Sequence, residues 1–290
     1  MQAKPIVIGI GEVLWDNLPG GAIIGGAPAN FAFHVRQLGG EGVLVSRCGS
    51  GKNGQLLRRA LRAKGIEDSF IQRDDEHQTG AADVSLTHGE PTYVFRPEPA
   101  WDYLELTEEV LTLARKAQAL CFGSLAQRHP VARRTIQAVV EATGPECLRC
   151  FDVNLRAPHV NPEAVRFGLQ NATLLKATTE ELEVLQSMVG CDRAEFFHRF
   201  PLRWMVETRG ARGCCVHTRD SRVEIPAETV RVVDAVGAGD AFTATFVMAL
   251  LAGYDVPVAA RHSNRVAAFV VGRPGAMPEH ESMQELKIIP

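Results

Sequence analysis

An α/β fold with a doubly wound, mostly parallel central sheet flanked by helices is predicted by three observations. Short apolar runs alternate with helical patterns along most of the chain. Residues that start and stop helices punctuate that alternation. Residues 12–25 and 80–100 break it with polar, Gly- and Pro-marked, strand-like sequence, which reads as a small β-sheet lid built from two excursions.

The elements follow in order. "PIVIGI" (5–10) is a first buried strand. Phe31, Val35 and Leu38 fall at helical spacing within 27–38, and Gly39–Gly40 stop that helix. "VLVSRC" (43–48) is a strand, and 53–65 is an amphipathic helix ending at Gly65. Thr107 followed by Glu108 and Glu109 starts another helix, because a hydroxyl and early acids suit free N–H groups. Residues 119–124, 150–155, 173–177 and 204–208 are short strands, with helices over 130–142, 162–170 and 179–189. Between 213 and 233 the pattern changes to "GCCVHT", "SRVEIPA" and "TVRVVD", which predicts antiparallel strands. Helices over about 239–252 and 257–272 complete the core, in which Phe196 and Phe197 are also expected.

Composition narrows the classes of function. The chain has 290 residues, enough for one large α/β domain, and is 46% hydrophobic and 22% charged. A formal net charge of −3 gives no basic excess for nucleic acid. The apolar run at the N-terminus is too short for a signal segment, and none approaches the ~20 residues of a membrane helix. Seven cysteines without framework spacing read as reduced thiols of a cytoplasmic protein.

The stretch "DAVGAGDAF" (234–242) carries the chemistry. Gly237, Ala238 and Gly239 present almost no side chain where a helix begins. The first amides of a helix lack partners, and its dipole favours an anion there. Asp240 would repel a resting phosphate. The pairing makes sense if the acid takes a proton from a hydroxyl as its oxygen attacks phosphorus. A plain helix-start acid is an equal reading of the stretch taken alone.

"DAVGAGDAF" resembles the D-T-x-G-A-G-D signature of the ribokinase-like, pfkB-type sugar kinases, with Ala235 for the usual Thr. "GGAPANFAFHVRQLG" (25–39) resembles that family's N-terminal Gly-Gly-x-x-x-Asn element, and the two motifs stand in the right order. The resemblance spans essentially the whole chain, so 1–290 is expected to be one ribokinase-like domain.

The resemblance implies roles. Asp240 would be the catalytic base, and Gly237, Ala238 and Gly239 the anion hole. Asp234 would support that loop and a monovalent-cation site. Asp16 and Asn30 would bind sugar hydroxyls, and Gly25 and Gly26 would hinge the lid. "FDVNLRAP" (151–158) is similar to the D-x-N-x-R element of fructokinases and ketodeoxygluconate kinases, placing Arg156 on the substrate and Asn154 near the phosphates. "TYVFRPEPAWD" (92–102) resembles the fructokinase lid segment, with Trp101 intervening before Asp102, and puts Arg96 on the substrate. Thr208, Gly210 and Gly213 match a nucleotide-side turn, and Asn264 a position by the adenine. Lys176 and Glu181 match the ends of the K-x-N-x-x-E element, whose acid holds hydrated magnesium. Thr178 replaces the Asn of that element, which weakens the magnesium assignment. Gly51 stands where the family often has Asp, in a turn away from the chemistry.

Other signals fail. "GSGKNG" is not a phosphate-binding loop, because Ser46 holds the first Gly position and Asn53 the Ser/Thr position. "GIGEVL" lacks the third glycine of a dinucleotide fingerprint. Cys147 and Cys150 form a lone C-x-x-C without further ligands.

The reading is an ATP-dependent kinase of a sugar, fructose first, using ATP and magnesium. Rivals are a 2-keto-3-deoxygluconate kinase, a kinase of another sugar or a nucleoside, and a non-catalytic sensor that keeps the fold. A lid sheet exposes edges and one apolar face, so a homodimer through the lids is expected.

Overall fold

The computed structural model describes residues 3–18, 20–87 and 90–279. Residues 19, 88 and 89, inside the two expected lid segments, and the ends 1–2 and 280–290 lie outside the described residues. The chain opens with β1 (Ile6–Ile10), β2 (Leu14–Leu18), β3 (Gly21–Gly25), α1 (Ala27–Gln37), β4 (Glu41–Gly49), α2 (Lys52–Ala63) and β5 (Ile71–Asp74). It continues with β6 (Gly80–Thr87), β7 (Glu90–Phe95), α3 (Glu108–Lys116), β8 (Ala119–Phe122), α4 (Pro130–Glu141), β9 (Leu148–Asp152) and α5 (Pro162–Asn171). Then come β10 (Leu174–Thr178), α6 (Thr179–Val189), α7 (Arg193–Arg199), β11 (Trp204–Thr208), β12 (Cys214–His217) and β13 (Arg222–Ile225). Two helices close the described chain, α8 (Ala238–Leu251) and α9 (Val256–Val271).

The main sheet has the order β13-β12-β11-β10-β9-β8-β1-β4-β5. Its pairs from β5 to β11 are parallel, and only the β11–β12 and β12–β13 pairs are antiparallel, so β12 alone runs against the rest. Successive residues on a strand face opposite ways, and both faces are apolar. Ile8, Leu120, Phe151 and Leu175 pack with α3, α4, α5, α6 and α7 residues such as Ile136 and Phe196. Val7, Cys121, Cys150 and Leu174 pack on the other face with Phe31 of α1, Phe246 of α8 and Val266 of α9. Helices therefore cover both sides, as the strand–helix alternation predicts.

Local chemistry sets many of the helix starts. Thr107 caps α3 by accepting from the Val110 amide. Thr178 and Glu181 form a reciprocal capping box on α6, and Asp192 and Glu195 form one on α7. The second sheet, β3-β2-β6-β7, is the lid. Its centre is a parallel pair, β2 with β6, brought together from the two excursions.

Three local expectations change. Of the 213–233 region only β12 and β13 form strands, and "TVRVVD" does not pair as one. There the amides of Val233 and Asp234 instead reach the Val271 carbonyl at the end of α9. The short strand β5 and helix α7 were absent from the sequence reading.

Candidate active site

β1 lies between β4 and β8, so the chain leaves it in one direction and returns on its other side. Ligands of such sheets bind beyond the carboxyl ends of strands at this switch point. A cavity of about 520 Å³ lies there. Glu12, Leu125, Asn154 and Thr178, from the ends of β1, β8, β9 and β10, line it. Asp16 of β2 and Phe95 of β7 bring the lid to its rim.

The N-terminus of α8 forms one wall, with Gly237, Gly239 and Asp240 exposed to the cavity. Gly237 caps the helix at φ 78°, a left-handed conformation that side chains resist. A Cβ there would also stand 2.4 Å from that of Ala276. Ala238, just behind the wall, sends its amide to the Ala235 carbonyl at a long 3.4 Å. Among the described residues no backbone carbonyl takes the Gly239 or Asp240 amide. Asp234 braces the approach, accepting from the amides of Val236 at 3.0 Å and Gly275 at 2.9 Å.

Asp240 sits half-buried on the cavity floor, where the Asn30 side-chain amide donates to its Oδ2 at 2.7 Å. Burial, followed by the Asp152 charge, pushes the Asp240 carboxyl up to about 7; Asn30, Lys176 and Arg156 oppose that rise. Lys176 Nζ donates to Asp152 Oδ1 at 2.9 Å, and the Thr243 hydroxyl lies 3.0 Å from Oδ2. Burial works against the Lys176 ammonium, yet Asp152, Glu181 and Asp240 hold its pKa above the usual range. Its amine lies 3.2 Å from where a Gly239 Cβ would be, so a fixed positive charge underlies the helix tip.

The opposite end is rich in carboxyls. Asp16 is buried, which pushes it up to about 6 against the pull of Arg156. Gly25 is behind the wall, and a Cβ on it would fall 2.2 Å from Asp16 Oδ2, so that carboxyl needs the glycine. Gly26 caps α1 and lines the cavity with Asn30 and Arg156. Glu12, which the sequence reading did not single out, is buried here too.

Towards the ends of β9 and β10 stand Asn154, Lys176, Thr178 and Glu181. Asn154 adopts φ 42°, which turns the chain after β9. Thr178 keeps the capping role an Asn would have, which fits its place in the motif. Glu181 accepts the Leu155 and Thr178 amides, each at 2.8 Å, one on each oxygen.

Besides Ala238, Gly25 and Asp234, five expected positions do not line the cavity. Thr208 and Gly210 lie on the shoulder made by β11 and its turn. Gly213 packs against the β13 end, where a Cβ would meet the Ile225 carbonyl at 2.1 Å. Asn264 donates to the carbonyls of Ile225 at 3.2 Å and Pro226 at 2.9 Å, so its amide pins that shoulder from within. Arg96 is displaced from the expected substrate contact: it is exposed, lies 3.8 Å from Asp83, and leaves the cavity edge to its neighbour Phe95. Adjacent residues at a strand end face opposite ways, which accounts for the exchange.

Glu207, Cys215 and His217 bring ligand atoms within 4.8 Å of one another. Arg193 and Arg209 already occupy Glu207, and Arg222 faces Cys215, so the local charge disfavours a cation.

The pfkB family carbohydrate kinase model matches residues 21–282. A probable fructokinase-2 of Arabidopsis thaliana is 28% identical over 98% of this chain and 97% of its own. An uncharacterized sugar kinase of Pyrococcus horikoshii, solved in complex with ATP, superposes with a TM-score of 0.84 at 26% identity, covering 98% of each chain. An ATP-bound fructokinase of Xylella fastidiosa matches the fold with a TM-score of 0.85 at 24% identity over 97% of each chain. With the glycine-rich helix tip and its acid set at the switch point, this chain belongs to the pfkB family of carbohydrate kinases, enzymes that move a phosphoryl group from ATP to a sugar.

Proposed function

We propose that this chain phosphorylates a neutral sugar, fructose, at a hydroxyl held against Asp240. The observation that carries this reading is the charge of the acceptor end. Glu12, Asp16 and Asp240 face that end with the single guanidinium of Arg156. Carboxyl, carboxylate and amide groups suit the donating and accepting hydroxyls of a polyol. A sugar acid adds a further negative charge, which three carboxyls oppose. Arg156 is the one feature that favours 2-keto-3-deoxygluconate, since its fork suits a carboxylate.

In the productive complex the γ-phosphoryl group of ATP rests on the Gly237–Gly239 amides, with Lys176 behind them. Asn30 aligns Asp240, which takes the hydroxyl proton as that oxygen attacks phosphorus in line. The lid, hinged at Gly25 and Gly26, excludes water that competes as acceptor. Asn154 meets the phosphates, and the shoulder shaped by Thr208, Gly210, Gly213 and Asn264 receives the nucleoside.

Magnesium, when bound, would supply charge neutralisation on the phosphates, held through its waters by Glu181 and Thr178. Glu181 and Thr178 fit that arrangement, since each Glu181 oxygen retains a lone pair beyond its backbone bond and the cavity reaches both residues. The loop held by Asp234 is proposed to carry a monovalent cation. The 1–290 chain acts as one domain, in the cytoplasm, and pairs with a second copy through the lids.

The test is ADP release over a panel of neutral sugars, nucleosides and 2-keto-3-deoxygluconate. Fructose is expected to give the highest kcat/KM, and Asp240→Asn to lower kcat by about 10²–10⁴-fold. Preference for the sugar acid would favour the ketodeoxygluconate reading. No turnover on any acceptor would favour a sensor.

A further inference from the structure

Glu12 follows β1 directly and adds a carboxyl to the acceptor end of the cavity. It is 4% exposed, and its Oε1 accepts the Ala27 amide at 3.3 Å, at the start of α1. The first turn of that helix carries Asn30, which holds Asp240. Beside the main cavity is a narrow space of about 20 Å³, lined by Glu12, Asp152, Asn154, Asp240 and otherwise by small or apolar residues. That is room for one water molecule.

The charges around this space do not balance if every acid is ionised. Asp152 of β9 is matched by Lys176 of β10 and bonded to Thr243 of α8. Glu181 of α6 is committed to two amides. That leaves Glu12, Asp16 of β2 and Asp240 of α8 with Arg156. Cys121 of β8 also lines the narrow space and is a buried thiol pushed well above its usual range, so it adds no charge. Burial pushes Glu12 up to about 7, and the Asp240 charge adds to that rise.

We infer that Glu12 is a positioning residue acting through Asp240: once the sugar hydroxyl has given up its proton, the two carboxyls share it through a single water in the narrow space that both residues line. This rests on the kinase reading. Before reaction Glu12 is neutral or ionised according to pH, and Asp240 is ionised. As the sugar oxygen bonds to the γ-phosphorus and the bond from that phosphorus to the bridging oxygen of ADP breaks, the hydroxyl proton passes to Asp240. When Glu12 is ionised, Asp240 gives a proton to the water as the water gives one to Glu12. Asp240 returns to its carboxylate, the water is unchanged and Glu12 is left neutral. The proton thus has a route away from the base while product and nucleotide cover the cavity mouth.

The experiment compares wild type with Glu12→Gln, which keeps an oxygen for the Ala27 amide and removes the proton site. Expected are a fall in kcat of about tenfold and an acid limb of kcat/KM about one pH unit lower as the like charge is lost. A Glu12→Gln enzyme with the wild-type kcat and pH profile would reduce Glu12 to a helix anchor. Infrared titration of the carboxyl bands needs no turnover and covers the case in which the variant does not fold. Wild type is expected to lose the two protons in separate coupled steps. Loss of both in one step below about pH 5 overturns the pair. Absence of turnover by wild type on every sugar would instead overturn the kinase reading, and the infrared result would still decide the pair.

Discussion

The Asn30 amide and the Asp240 carboxylate meet at 2.7 Å although 210 residues separate them. One comes from the first turn of α1 and the other from the first turn of α8. The sign of their coupling follows from which form the bond favours. An amide N–H donates to the ionised acid and so works against the upward push of burial. As the proposed base, Asp240 acts only when ionised, so kcat/KM is expected to rise with pH through its pKa, about 7. In Asn30→Ala that pKa rises further and the limb moves to higher pH. Activity is therefore expected to fall more at pH 6.5 than at pH 8.5, by about tenfold at the lower value. A pH series of initial rates checks this, and a limb that stays put or moves down excludes the coupling.

Gly237 and Gly239 share a motif but have different physical duties. Gly237 combines φ 78° with a backbone neighbour, Ala276 Cα, at 2.7 Å from its missing Cβ. Gly239 would meet only the flexible end of Lys176 at 3.2 Å. Gly237→Ala is expected to lose about 1–3 kcal/mol in urea unfolding, with activity lost as the amides shift. Gly239→Ala should unfold near the wild-type midpoint and still raise KM for ATP, because a methyl group then pushes the Lys176 ammonium from its place under the helix tip. Equal destabilisation of both variants would contradict this division.

The same two residues show why much of the site was legible in the sequence. A left-handed helix cap demands a glycine locally, and an acid placed three residues later is visible without knowing the fold. Thr178 and Glu181 likewise spell a capping box within four residues. Glu12 carries no such local mark. Its contact with Ala27 depends on how β1 and α1 dock, and its neighbour Asp240 lies at the far end of the chain. Phe95 was missed because the face a strand end presents to the cavity depends on register. The β5 sequence "IQRD" is short and polar, and only pairing with β4 makes it a strand. For α7, the Asp192–Glu195 capping box was available as a signal before a seven-residue helix. "TVRVVD" has strand-like residues but lies beside α9 and has no ladder partner.

Lys176 and Asp152 form a buried pair, with side chains 10% and 7% exposed. Removing one partner leaves the other charge uncompensated, which costs more than the pair contributes. Lys176→Met is expected to destabilise the fold by about 3–5 kcal/mol. The double variant with Asp152→Asn should recover most of that, because no buried charge is then left alone. Chemical unfolding of the four proteins in a double-mutant cycle measures the difference. Activity should stay low in the double variant, since the positive charge under the Gly239 amide is gone. Full additivity of the two changes would show that the pair is not coupled.

The lid's second face sets the last expectation. Leu14 and Asp16 of β2 turn to the cavity, so Trp15 and Asn17 turn away from it. With Ala22, Ala81 and Leu56 they line an open hollow of about 530 Å³ between the lid and α2. Leu56 is 41% exposed at its edge, and β3 and β7 are the outer strands of the lid. A second lid laid against this face would cover the hollow and the strand edges together, and would hold β2, hence Asp16, in place. Sedimentation is expected to find a dimer at micromolar concentration. Leu56→Glu should yield monomer with a raised sugar KM and an unchanged unfolding midpoint. A wild-type protein that sediments as monomer at that concentration ends the proposal. A Leu56→Glu variant that remains a dimer moves the interface elsewhere.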